Sequence, residues 1–173
     1  MNYIFDIDGT LMNIDHRRHY VEGDKKDWKS FVDNIKHDTP NYPVVETMWL
    51  LAENAGFDTC CFYFLTGRNE AQRWETVDQL KDQCRLDDDL ISRMFGIKND
   101  YTRILGFWEE ILLMRPDGDY RPDAELKSEL FDKLVDIHGF DTEDTIIFDD
   151  RQSVVDMWRA RGLTCFQVAK GDF

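Results

Sequence analysis

The amino-acid sequence predicts an α/β fold, with a central parallel sheet covered by helices on both of its faces. Short apolar runs alternate along the chain with longer segments whose apolar residues recur at helical spacing. This alternation is typical of parallel sheets, in which ligands bind outside the carboxyl ends of the strands. The chain has 173 residues, which suits a single domain over residues 1–173.

The first half of the chain supplies two predicted strands and two predicted helices. Apolar runs predict strands over residues 2–7 and 57–65, and helical periodicity predicts a helix over residues 43–57. Residues 67–84 show helical spacing again, with Asn69 in the position of an N-cap. Each strand is thus separated from the next by a helix, as a parallel sheet requires.

The second half continues the alternation through three further strands. A turn-rich loop, PDGDYRPD, lies at residues 116–123, and Gly139 stands where a helix is expected to end. The predicted elements are an apolar strand within 109–115, a helix over 124–139, a strand over 145–150, a helix over 151–162 and a strand over 163–169.

Two segments do not fit the alternation. Residues 13–42 follow the first strand and are predicted to form a small helical cap. Residues 86–109 contain the acidic run DDD at 87–89 and are predicted to be a helical insertion. Both would be additions to one core rather than separate domains.

Composition restricts the class of function. The chain carries 35 acidic and 21 basic residues, a formal net charge of -14, which repels a nucleic-acid backbone over most of the surface. Any nucleic-acid contact is therefore expected to have a small footprint. Neither a secretory leader nor an apolar run of membrane-spanning length is present, so a cytoplasmic protein without membrane contact is predicted. The four cysteines lack CxxC spacing and are predicted to be reduced and packed.

A first pair of carboxylates, Asp6 and Asp8, ends the first predicted strand. Strand geometry directs residues two apart to the same side, and two like charges so close favour a cation between them. Mg²⁺ suits carboxylate and carbonyl ligands. An EF-hand calcium loop is excluded, because its fifth, sixth and twelfth positions would be Thr10, Leu11 and Arg17.

Further polar residues follow the other strands. Asp149 and Asp150 end the strand TIIFDD, so all four acids would meet around one ion if the first and fourth strands were neighbours. The sequence FLTGR offers three more candidates, and Lys127 lies near the start of the helix that follows the PDGDYRPD loop. The three candidates in FLTGR are Thr66, whose hydroxyl can donate a hydrogen bond, Gly67, which allows close approach of the backbone, and Arg68, whose planar guanidinium suits phosphate.

Carboxylates, a metal and converging cations together indicate phosphoryl transfer, in which positioning and charge neutralisation supply most of the rate. A P-loop kinase is excluded, because no GxxxxGK[ST] motif occurs.

The motifs DIDGT, LTGR, Lys127 and IIFDD occur in the order found in the haloacid dehalogenase phosphatase superfamily, which the whole chain resembles. The resemblance implies that superfamily's Rossmannoid fold, with Asp6 as the nucleophile that forms an aspartyl-phosphate and Asp8 as the general acid and base. It also implies that Thr66 and Lys127 bind the phosphoryl oxygens. The implied Mg²⁺ ligands are Asp6, the backbone carbonyl of Asp8, and Asp149, with Asp150 acting directly or through water.

A narrower resemblance is carried by the ending FDDRQSVVDMWRARGLTCFQVAKGDF, which is similar to that of phosphatase domains in phage polynucleotide kinase-phosphatases. It implies substrate or phosphate binding by Arg17, which lies eleven residues after Asp6, and by Arg68. The pair Asp123 and Lys127 matches a further family motif. If the protein is encoded by a phage, the host cytoplasm is the expected location.

The function expected from this resemblance is Mg²⁺-dependent removal of a 3'-phosphate from DNA or RNA ends. The chain begins five residues before Asp6, so a kinase or ligase partner is expected on a separate chain. Two alternatives remain open: a nucleotidase or other small-molecule phosphatase, and a non-enzymatic module that binds phosphate ends.

The five tryptophans raise the question of base stacking. Most of them occur at helical spacing, which favours a place in the core. Only Trp28 and Trp108, in the two irregular segments, are candidates to face a base.

Overall fold

Five parallel strands form the central sheet of this computed structural model, which describes residues 1–54, 61–87, 91, 101–139 and 141–171. The spatial order of the strands is β5-β4-β1-β6-β7. A short antiparallel pair, β2 and β3, lies outside this sheet. The strands are β1 Asn2–Phe5, β2 Met12–Asn13, β3 Thr39–Pro40, β4 Cys61–Asn69, β5 Leu112–Arg115, β6 Thr145–Arg151 and β7 Thr164–Gly171.

Helices cover both faces of the sheet, which confirms the predicted fold class. Single turns of 3-10 helix occur at Ile35–His37, Glu70–Gln72 and Thr142–Asp144. The α-helices are α1 Asp15–Arg18, α2 Trp28–Asp33, α3 Tyr42–Asn54, α4 Arg73–Cys84, α5 Tyr101–Ile111, α6 Asp123–His138 and α7 Gln152–Ala160.

Local signals set several of these boundaries. Asn69 caps the turn that leads into α4 through a reciprocal pair of hydrogen bonds with Gln72, a capping box. Helix α6 ends at Gly139, whose φ of 66° lies in the left-handed region that glycine adopts without steric cost. The predicted N-cap and the predicted stop are therefore both observed.

Aromatic side chains stack across the sheet and hold its centre together. The rings of Phe5 and Phe148, on adjacent strands, are 4.5 Å apart and nearly parallel. Phe131 of α6 meets Trp158 of α7 edge-on at 5.5 Å, and both are fully buried. Such pairs add about 0.5–1.5 kcal/mol each beyond the burial of their area.

The register of the strands determines which residues lie side by side where neighbouring strands end. Phe5 is aligned with Phe64 of β4 on one side and with Phe148 of β6 on the other. The backbone N–H of Asp6 donates to the carbonyl of Phe148 at 2.9 Å. Asp6 and Asp149 therefore follow neighbouring strands at the same level, so the first and fourth predicted strands are adjacent, which was the condition for their acids to meet.

Some predicted boundaries were wrong. The second strand was predicted to end at residue 65, but β4 continues through the TGR sequence to Asn69, which pairs with Arg115 of β5 after a register shift. Residues 55–60 lie outside the described part of the chain, as do residues 88–90 and 92–100 of the predicted insertion. The remainder of that insertion includes most of helix α5.

Residues 13–42 fold around a small apolar cluster of their own, made by Ile14, Val21 and Phe31. The segment contains α1, α2 and the edge pair that β3 forms with β2. Its role as a cap, like the single-domain organisation, stays a prediction.

Among the described residues, no helix combines the length and apolar character needed to span a membrane. Cys84 and Cys165 are buried free thiols, as expected for reduced, packed cysteines.

Candidate functional site

Lys127 and three aspartates form a buried cluster at the carboxyl end of the sheet. Lys127, from the second turn of α6, donates to Asp6 Oδ1 and to Asp149 Oδ2, each at 2.7 Å. One oxygen from each of Asp6, Asp149 and Asp150 lies within 4.8 Å of the others. The structure thus brings together residues from three separate motifs.

The electrostatics of this cluster are unfavourable without a further cation. Burial raises the pKa of Asp6 well above its usual range, and Asp149 and Asp150 add to the effect against the charge of Lys127. Burial and the neighbouring Asp149 also raise the pKa of Asp150, to about 6. Two carboxyl groups here are therefore hard to ionise together.

The donor set suits a hard divalent cation. Asp6 Oδ2 and Asp150 Oδ2 are buried, and neither has a hydrogen-bond partner among the described residues. Carboxylate oxygens of this kind are the ligands that Mg²⁺ takes in proteins. The three aspartates accordingly fit a metal, and Asp8 could add only its backbone carbonyl, because its side chain is engaged elsewhere.

Two glycines make room for Asp150. A Cβ added at Gly9 or at Gly171 would lie 2.3 Å from Asp150 Oδ2, closer than any real contact. Gly9 also has a φ of 93°, which strongly favours glycine. The DIDGT turn and the end of β7 thus enclose the same carboxylate.

Asp8 lies between two arginines. Its Oδ1 accepts from Arg17 Nη2 at 2.7 Å and from Arg68 Nη2 at 2.6 Å. Burial raises the pKa of Asp8, but the charges of Arg68 and Arg17 outweigh that effect and hold it at about 2. Asp8 is therefore a carboxylate in the free protein at neutral pH.

Asp38, which the sequence did not single out, links the same two arginines. Arg17 donates to both of its oxygens at 2.6 Å, and Arg68 Nη2 donates to Oδ2 at 2.9 Å. The side chains of Arg17 and Asp38 are fully buried. The result is a closed network of two carboxylates and two guanidinium groups.

Helix α4 completes the support of Arg68. Its Nη1 donates to Gln79 Oε1 at 2.7 Å and to Thr76 Oγ1 at 3.3 Å. The hydroxyl of Thr66 accepts from the backbone N–H of Arg68 at 3.2 Å. The guanidinium of Arg68 thus donates to four side chains, which fixes its orientation. These are Asp8, Asp38, Thr76 and Gln79.

A second group of paired charges surrounds Asp123. Arg151 Nη1 donates to Asp123 Oδ2 at 2.7 Å, and Arg115 Nη2 donates to its other oxygen. The backbone N–H of Arg151 also donates to Asp149 Oδ1, at 3.2 Å. A Cβ on Gly67 would approach Asp123 Oδ1 to 2.8 Å, which explains the need for glycine beside it.

An open pocket of about 350 Å³ lies over these groups. Most of the predicted site residues line it, whereas Arg17, Thr66 and Asp149 are buried and are not among its lining residues. The predicted residues along its wall are Asp6, Asp8, Gly67, Arg68, Asp123, Lys127 and Asp150.

The residues that were missed differ in how visible they were in the sequence. Arg115 ends the strand LLMR, and the rule that singled out Asp149 applies to it equally. Asp38, Thr76 and Gln79 carry no such signal, because they lie in an irregular segment or on a helix. Only the folded chain identifies them.

Comparisons with known proteins agree with this architecture. A chain in two solved structures of a Pnkp1/Rnl/Hen1 complex, one described as an RNA repair complex, is 28% identical, with TM-scores of 0.63 and 0.61. The similarity covers 99% of this chain but 43% and 47% of those chains, so this chain spans less than half of their length.

A third structure supports the fold alone. It is a HAD family enzyme of Bacteroides thetaiotaomicron in complex with magnesium and inorganic phosphate, and it is 13% identical with a TM-score of 0.50. The similarity covers 99% of this chain and 95% of that chain.

The family model described as "Polynucleotide kinase PNKP phosphatase domain" matches residues 1–173. Both resemblances predicted from the motifs, to the haloacid dehalogenase superfamily and to polynucleotide kinase-phosphatases, are thereby confirmed. The chain belongs to the family of polynucleotide kinase PNKP phosphatase domains.

Proposed function

We propose that the protein is a Mg²⁺-dependent phosphomonoesterase that removes 3'-phosphates from nucleic-acid ends through an aspartyl-phosphate on Asp6. One observation carries the proposal. Asp6 lines the pocket, and Lys127 donates a hydrogen bond to its Oδ1. The other oxygen, Oδ2, has no hydrogen-bond partner among the described residues. Asp6 thus has one oxygen anchored and one left to attack phosphorus.

The reaction proceeds in two displacements. Lys127, Thr66 and Arg68 bind the phosphoryl oxygens, an oxygen of Asp6 attacks phosphorus, and Asp8 donates a proton to the departing 3'-oxygen. Asp8 then takes a proton from the water that attacks the aspartyl-phosphate. Inorganic phosphate leaves, and the carboxylate of Asp6 is restored.

The arginine network fits the changing role of Asp8. In the free protein Arg17 and Arg68 stabilise its carboxylate, the form that accepts a proton from water. A phosphate dianion bound in the pocket that Arg68 lines brings further negative charge close to Asp8 and so favours its protonated form. Asp8 can then carry the proton that the leaving group needs.

Mg²⁺ would be held by Asp6, Asp149 and the backbone carbonyl of Asp8, with Asp150 acting directly or through water. When bound, it would neutralise charge on the phosphoryl group. The crowding of three carboxylates supports this assignment, as does the buried Asp150 Oδ2, which has no hydrogen-bond partner among the described residues.

Mg²⁺ is expected to stabilise the folded protein. At a concentration about 100 times its Kd it adds about 2.7 kcal/mol, which raises Tm by about 5–10 °C relative to EDTA buffer for a chain of this size. Asp150→Asn should remove most of that rise, whereas Asp144→Asn should keep it, because Asp144 is an exposed acid at the opposite end of β6, just before the strand begins. An equal Tm rise in the Asp150 variant and the wild type would contradict the metal site. Differential scanning fluorimetry measures both.

The family match and the net charge of the chain together support nucleic-acid ends as the substrate. The matching chains belong to a complex described as an RNA repair complex. A net charge of -14 disfavours extended backbone contacts, while a pocket of about 350 Å³ has the size for a terminal nucleotide. Because the matching chains belong to a Pnkp1/Rnl/Hen1 complex, the proposed partner is a kinase or a ligase.

A 3'-phosphorylated oligonucleotide is expected to exceed the corresponding 3'-mononucleotide in kcat/KM by about tenfold or more, because a neighbouring nucleotide adds phosphate and stacking contacts. A panel with 5'-mononucleotides and sugar phosphates completes the measurement. The second candidate, a nucleotidase, is favoured by the one-nucleotide size of the pocket. Higher kcat/KM for mononucleotides would replace the first candidate with the second.

We further infer that residues 1–173 act as one phosphatase domain, in which residues 13–42 cap the pocket and residues 86–109 are an insertion. The cap assignment is supported by α2 and the turn after it, which supply one side of the pocket.

A further inference from the structure

One wall of the pocket is apolar and comes entirely from the cap. Trp28, Phe31 and Val32 of α2 and Ile35 of the following turn form this wall, which faces the same space as Asp6 and Lys127. A phosphate ester needs no apolar surface for its charged end. The wall is therefore suited to the part of the substrate that carries the phosphate.

Trp28 is the exposed member of this wall. Its exposed fraction is 51%, whereas Trp108 and Trp158 are fully buried in the core. Of the two tryptophans predicted as candidates to face a base, only Trp28 is accessible. An exposed indole lining a pocket offers a flat surface on which a base can stack.

Three short contacts connect this indole to the reacting groups. Trp28 meets Phe31 edge-on with ring centroids 5.9 Å apart, and the guanidinium of Arg17 lies 4.1 Å from the centre of Phe31. Arg17 in turn holds Asp8 at 2.7 Å. The aromatic wall is thus fixed relative to the residue that protonates the leaving oxygen.

A second exposed aromatic side chain lines the pocket. Tyr120, in the loop between β5 and α6, is 94% exposed and lines the same pocket as Trp28. Arg115 and Arg121 line the same pocket. Aromatic rings with cations beside them are the usual combination for binding single-stranded nucleic acid.

We propose that the nucleobase of the terminal, phosphate-bearing nucleotide stacks on Trp28, with Tyr120 of the same pocket contributing a second aromatic surface. This inference rests on the proposed phosphatase function. In it, the cap is the part of the protein that recognises the base. A substrate whose terminal sugar carries a base is accordingly bound more tightly than one whose terminal sugar does not.

Two substrates test the proposal: a 3'-phosphorylated dinucleotide and the same molecule with an abasic terminal sugar. Wild-type protein is expected to prefer the first by about tenfold in KM, the size of one base–aromatic stack. Trp28→Ala should abolish most of this preference, Trp28→Phe should restore much of it, and Tyr120→Ala should reduce it. Trp74→Ala is the matched control, because Trp74 is 49% exposed but is not among the pocket residues, and it should keep the preference.

Binding to protein that carries Asp6→Asn gives a readout independent of turnover. The base-containing dinucleotide should quench tryptophan fluorescence, and adding Trp28→Ala should remove that quenching. Hydrolysis without a preference for the base, or a preference that survives Trp28→Ala, overturns the inference and leaves the phosphatase function in place. Absence of hydrolysis with every ester, despite quenching that depends on Trp28, contradicts the proposed function and supports base binding.

Discussion

Asp6→Asn is expected to lower kcat for phosphomonoester hydrolysis by about 10⁴-fold or more while the protein still folds. The amide cannot act as the carboxylate nucleophile, and both oxygens of the neighbouring Asp149 already accept hydrogen bonds, from Lys127 and from the backbone N–H of Arg151. The substitution also relieves a crowded acid cluster, and Lys127 retains Asp149 as its partner. Tm in metal-free buffer should therefore equal or exceed that of the wild type.

Circular dichroism and thermal unfolding show whether the variant is folded, and steady-state kinetics give kcat. Asp136→Asn is the matched control, because Asp136 is an exposed acid on α6, the helix that carries Lys127, and its kcat should stay at the wild-type level. A folded Asp6 variant that keeps a tenth or more of wild-type activity would exclude Asp6 as the nucleophile.

The second large effect is expected at Asp38. Asp38→Ala leaves Arg17, which is fully buried, with one carboxylate instead of two, and it takes a partner from Arg68. Breaking a buried ion pair in this way costs about 3–5 kcal/mol, because the remaining charge stays desolvated. Tm should fall by about 10 °C for a chain of this size. Hydrolysis should fall as well, because both arginines that hold Asp8 become less constrained.

Asp33→Ala is the control for Asp38. Asp33 lies in the same cap segment and pairs with Lys29, but its side chain is 55% exposed. Loss of an exposed ion pair costs about 0–1 kcal/mol, so its Tm should change by only a few degrees. If Asp38→Ala were no more destabilising than Asp33→Ala, the buried network would not contribute to stability as described.

Residues at the ends of strands could be predicted because their signal is local. A short apolar run followed by aspartate, as in TIIFDD, identifies both a buried strand and the edge of the sheet from which its last residues project. Parallel strands bring all such ends to one edge. Asp6, Asp149 and Asp150 were consequently predicted together, and the structure places their oxygens within 4.8 Å.

The cap was harder to predict because its contacts depend on how an irregular segment folds over the sheet. Asp38 lies 21 residues from Arg17 and 30 from Arg68 along the chain, and no periodicity connects them. The tryptophans illustrate the same limit. Trp74 occurs at helical spacing yet is half exposed, whereas Trp108, assigned from sequence to an irregular segment, lies in helix α5 and is fully buried.

The sequence by itself thus determined the alternation of strands and helices, the edge of the sheet that holds the chemistry, and the acids and the lysine that form its centre. Only the tertiary structure decided that two arginines share Asp8 and Asp38, that Gly171 encloses Asp150, and that Trp28 faces the pocket. The physical reason is the range of the interactions. Periodicity and turn chemistry act over a few residues, whereas buried ion pairs and pocket walls form between segments that meet only when the chain has folded.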